Sequence, residues 1–82
     1  MIHELKIAPR YFQAVAIGIK TFEVRLKDRP YQVGDRLLLK EFSPNIGYTG
    51  RTCLVMVTYI LSEQPYVLDE YCIMATKLIL AP

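Results

Sequence analysis

From Arg51 to Leu61 the chain is almost continuously apolar and rich in β-branched residues, which marks a strand covered on both faces. The run is far short of the roughly 18 apolar residues of a membrane span, so it predicts the central strand of a sheet. The whole chain has 82 residues, room for one small domain, and a two-domain enzyme is excluded. With 52% hydrophobic and 22% charged residues it lies well away from disordered compositions, and a folded core is expected. The opening Met1 to Lys6 lacks the continuous apolar core of a signal peptide, so the expectation is a soluble cytoplasmic protein with no membrane partner.

Other elements can be placed around that strand. Residues 3–7 alternate, with His3, Leu5 and Ile7 on one side and Glu4 and Lys6 on the other, the period of a half-buried strand. Pro9 suits the first position of a helix running to about Ile17, with Phe12, Val15, Ala16 and Ile19 as its apolar face and Gly18 as its terminator. The period then switches to two, so Phe22, Val24 and Leu26 are expected on the core face of a strand with Glu23 and Arg25 on the polar face. After the turn at Val33-Gly34-Asp35, Leu37 to Phe42 form the next strand, and Ser43 to Gly50, with a proline and two glycines, reads as a loop. Ser62 to Glu70 is a connection, and Tyr71 to Leu80 a final strand. One helix cannot supply the crossovers of a doubly wound sheet. The prediction is a mostly β (α+β) domain, a small barrel of five to six mainly antiparallel strands with the helix at one opening.

Cys53 and Cys72 each sit within an apolar run and are too far apart for a CxxC pair, which predicts buried, reduced thiols. His3 is the single histidine and zinc sites need three or four converging ligands, so no metal centre is expected, and no motif assigns a cofactor. The net charge of +2 is unevenly spread: segment 20–51 carries +3 and segment 52–82 carries −2. An electropositive surface in the middle of the chain is attractive to a polyanion, although scattered solvated charges would give the same count.

The densest charge pattern is Gly18-Ile19-Lys20-Thr21-Phe22-Glu23-Val24-Arg25, of the form GxKxxExR, at the junction of helix and strand. Glu23 and Arg25, two apart on a strand, share a face on which an arginine can hold a carboxylate, with Lys20 at the turn. The residues alone also allow an ordinary surface ion pair, contributing about 0–1 kcal/mol to folding. The motif resembles that of the ASCH (activating signal cointegrator homology) family of the PUA-like superfamily. The likeness extends to His3-Glu4-Leu5-Lys6-Ile7, the Val33-Gly34-Asp35 turn and Tyr48-Thr49-Gly50-Arg51, nearly the whole chain, so a complete minimal domain is expected.

The resemblance implies a PUA-like barrel with a cleft between helix and barrel, lined by Lys20, Glu23 and Arg25 and receiving RNA or a nucleotide. Tyr48 and Arg51 flank a loop at the expected mouth, where a ring can stack on a base and a guanidinium meet a phosphate. Tyr11 and Tyr31 are expected to be packing residues. Small relatives that hydrolyse acetylated cytidine are similar but carry a threonine three residues after the motif lysine, where this chain has Glu23. A carboxylate cannot replace a hydroxyl nucleophile, so no catalytic residue is assigned and a metal-independent hydrolase of modified nucleosides or RNA is the second expectation. A third is a protein-interaction module of a transcriptional or translational regulator. Oligomeric state is not encoded in any motif.

Overall fold

A computed structural model describes residues 1–82. The elements are β1 (Ile2–Ile7), α1 (Pro9–Ala16), β2 (Phe22–Leu26), β3 (Arg36–Ser43), β4 (Gly47–Leu61) and β5 (Tyr71–Leu80). The five strands form one sheet in the order β1-β3-β4-β5-β2, curled into a partial barrel, and α1 packs against β3 and β4. β1 is parallel to β3, and the other neighbouring pairs are antiparallel. This is the small, mainly antiparallel barrel with one N-terminal helix that the sequence predicts. No helix is long and apolar enough to cross a membrane.

β4 occupies the centre of the sheet, as its composition requires. Cys53, Val55 and Val57 point inward, opposite Leu39 and Leu37 of β3 and Leu78 and Thr76 of β5. Only that face is covered: Leu54 and Met56 on the other side remain partly exposed, contrary to the expectation of burial on both faces. β4 also begins earlier than expected. Residues 47–50 are strand, because Ser43 pairs with Gly47 and Phe42 with Tyr48 across a three-residue connection. Gly47 makes that tight return possible at a φ of 91°, a conformation that costs glycine little.

α1 has no side-chain cap at its start, where Pro9 supplies a pre-set φ instead. It ends in a Schellman arrangement: Gly18, at φ 83°, donates its N–H to Val15 O, and the N–H groups of Ile19 and Lys20 both donate to Ala14 O. Phe12 and Val15 are fully enclosed and Ala16 packs at the core margin, but Ile19 is 75% exposed, because it lies beyond the helix, where the helical period no longer applies.

The largest departure from expectation is the face of β2. Phe22, Val24 and Leu26 are 47%, 51% and 47% exposed, whereas Glu23 is 3% exposed and points into the barrel opposite Met74. The alternation fixes the strand but not its inward parity. Here the carboxylate has cationic partners that make its burial tolerable, and the apolar residues face out.

Two cysteines are free and buried, and burial pushes both thiols above their ordinary range. A second polar cluster closes the barrel near the start of β3. His3 Nε2 donates to Asp35 Oδ2 at 2.8 Å, and the Gln32 N–H donates to the same oxygen at 3.0 Å. The His3 hydrogen bond is the main reason that the Asp35 carboxyl lies below its ordinary value of 3.8, with Gln32 adding to it against the opposing effect of burial. A carboxyl lowered in the folded state stabilises the protein above its unfolded pKa, and that contribution disappears as pH falls through the folded value. Urea midpoints should therefore drop below about pH 4 in the native chain, and Asp35→Asn should be less stable at neutral pH with a flatter acid limb.

Candidate functional site

Because β1 and β2 end the strand order, the curl of the sheet turns their unpaired edges toward one another. Arg25 spans the seam by donating from Nη2 to the Lys6 carbonyl at 2.9 Å. The same guanidinium holds Glu23 Oε1 through Nε at 3.2 Å and Nη2 at 3.1 Å. Lys20 leaves the helix C-terminal turn and takes the other carboxylate oxygen, Oε2, at 2.5 Å, while also donating to the Phe22 carbonyl at 2.6 Å. Lys20, Glu23 and Arg25 are thus one cluster, with Glu23 as a buried pivot between two partly accessible cations. The exposed surface pair that the sequence also allows is not what forms.

The cluster opens on a cavity of about 580 Å³ between α1, β1 and β2. Its polar wall is Lys6, Lys20, Glu23 and Arg25, and Tyr11, Phe22, Ile7 and Val24 supply apolar surface. Lys20 Nζ lies 4.9 Å from the Phe22 ring centre and 5.9 Å from that of Tyr11. Three cations face one carboxylate here, and Lys6 takes part in no ion pair. Chain order does not show that β1 and β2 meet, so the sequence does not group Lys6 with the motif; its outward parity in β1 is the one signal there.

Tyr48 and Arg51 are not in this cavity. Tyr48 lines a neighbouring one of about 610 Å³ on the other side of Arg25. Its ring is 5.1 Å from Phe42, edge to face, with Lys40 Nζ 4.8 Å away. Arg51 instead stands over the Phe12 ring at 4.9 Å and 3.8 Å from Glu41 Oε1, an oxygen that also accepts from Thr49 at 2.7 Å. That arrangement ties the β3–β4 hairpin to α1. Tyr11 borders the cavity rather than the core, and Tyr31 packs edge to face on His3 at 4.8 Å.

A family profile described as a domain of unknown function, DUF3850, matches residues 2–76. The chain is also similar to the uncharacterized 12.9 kDa protein in the GpA 3′ region of Escherichia phage P2, at 36% identity over 73 residues. The match covers 89% of this chain and 65% of that protein, so the chain spans just under two thirds of its relative's length.

Proposed function

The chain belongs to the DUF3850 family, and from the charged cleft at the end of α1 we propose that it is an RNA- or nucleotide-binding domain. Its ASCH-like and PUA-like character, its cytoplasmic setting and a role in transcriptional or translational regulation are part of the same reading. The observation that carries it is the cavity of about 580 Å³ in which three cations surround one buried carboxylate beside two aromatic rings. Its size lies within the range of ligand sites, and cations beside exposed rings suit a phosphate joined to a base. Both oxygens of Glu23 are held by Lys20 and Arg25, which suits fixing two cations in place rather than moving a proton. Binding is therefore favoured over hydrolysis.

Replacing metal-free buffer salt stepwise while titrating a labelled single-stranded pentauridylate, U5, tests the reading. Affinity should fall by about 0.7 logarithmic units per tenfold rise in salt for each phosphate contacted, and Lys20→Ala should remove roughly one such contact. Absence of binding at low salt, or affinity indifferent to both Lys20→Ala and Arg25→Ala, overturns it. Protein interaction is the second reading, favoured by the exposed Tyr59 of β4, which lies across β5 from the half-exposed apolar outer face of β2.

A further inference from the structure

The cavity on the far side of Arg25 is as large as the first, about 610 Å³, and shares Lys6, Val24 and Arg25 with it as a common wall. Together they exceed what a single small ligand fills, since ligand sites generally span about 300–1,000 Å³. Three of the six tyrosines, Tyr31, Tyr48 and Tyr71, line this second cavity. Its cations are Lys6, Arg25, Arg29 and Lys40, against the carboxylates Glu4 and Asp28. Glu4 is already taken by Lys40 at 3.2 Å, and Arg29, like Lys6, has no ion pair.

The dividing wall carries the decisive chemistry. Arg25 uses Nε and Nη2 on Glu23 and the Lys6 carbonyl, which leaves the two N–H groups of Nη1 without a protein acceptor. Lys6 Nζ lies 4.3 Å from the Phe42 ring and 5.7 Å from that of Tyr48, unpaired with any carboxylate. Donors therefore stand between two aromatic-lined hollows, with Tyr11 and Phe22 on one side and the three tyrosines on the other. A negative link between two flat groups matches that order.

We propose that the second cavity is a nucleotide subsite, so that the ligand is a single strand of at least two linked nucleotides whose connecting phosphate lies at Lys6 and Arg25. The proposal rests on the nucleotide-binding reading above and names its substrate class. Ring stacking and phosphate contact in the second hollow raise the affinity of a strand over that of a mononucleotide, and the gain is sequence-tolerant because every base offers a flat face.

Isothermal titration with uridine 5′-monophosphate and with U5 tests it, using native protein, Lys20→Ala and the double variant Arg29→Ala/Tyr48→Ala, each confirmed by circular dichroism to be folded at the titration temperature. A double variant that melts early is replaced by Arg29→Ala alone, whose side chain takes part in no ion pair. U5 should bind about tenfold or more tightly than the mononucleotide. The second-cavity variant should erase most of that advantage and leave mononucleotide binding unchanged, whereas Lys20→Ala should weaken both probes. Equal affinity for the two probes, or an advantage that survives the second-cavity variant, overturns the subsite while leaving the nucleotide-binding reading in place. Failure of both probes to bind native protein at low salt removes that reading and the subsite with it. Displacement of U5 by a polyglutamate peptide of equal charge also overturns the subsite, because it shows that charge alone is recognised.

Discussion

Replacing Phe12 by alanine should cost about 3–5 kcal/mol of folding free energy, the range for truncating a fully buried aromatic ring. Phe12 is completely inaccessible and joins α1 to the barrel, with Val15 as the one other fully enclosed residue of the helix. A chain of this size holds only about 4–12 kcal/mol in total, so the loss is a large fraction of its stability. The Arg51 guanidinium over the ring would also lose its support. Urea unfolding followed by circular dichroism should show the midpoint collapsing in Phe12→Ala and much less change in Phe12→Leu. A loss below about 1 kcal/mol would mean that the helix is not anchored through this ring.

Glu23→Gln should be the second large effect, and its sign follows from burial. The substitution leaves Lys20 and Arg25 facing a neutral amide inside a site that excludes most water around residue 23. Removing one member of a fully buried pair costs about 3–5 kcal/mol; because both cations retain some solvent contact, about 2–3 kcal/mol is expected here. Replacing all three charges together, Lys20→Met with Glu23→Leu and Arg25→Met, should recover most of that stability, because no charge is left uncompensated. The triple variant should nevertheless fail to bind U5. Stability recovered with binding retained would separate the cluster from the function; stability not recovered would point to the hydrogen bond on the Lys6 carbonyl as the part the fold needs.

The contrast between β4 and β2 shows what the chain order discloses. β4 is legible as the central strand because a long β-branched run has few alternatives in 82 residues, but neither its start at Gly47 nor its single covered face shows in that run; the helix is legible because Pro9 and Gly18 bracket a single apolar face. β2 was legible as a strand but not in its orientation. Hydropathy favours Phe22, Val24 and Leu26 inside, yet the cations that neutralise Glu23 reverse the parity, and hydropathy alone does not count such partners. The motif residues Lys20, Glu23 and Arg25 are close in sequence and could be grouped beforehand. Lys6 joins them only through the curl that brings the first and last strands of the sheet together, and Arg51 leaves them because the hairpin carries it to Glu41.

Backbone amide shifts of ¹⁵N-labelled protein, followed by NMR during a low-salt titration with U5, locate the nucleotide site. The largest movements should fall at Lys6 to Tyr11 and Lys20 to Arg25, with a second set around Arg29, Tyr48 and Tyr71. Movements confined to the outer face around Tyr59 and Ile73, or none at all, would contradict nucleotide binding in this cleft.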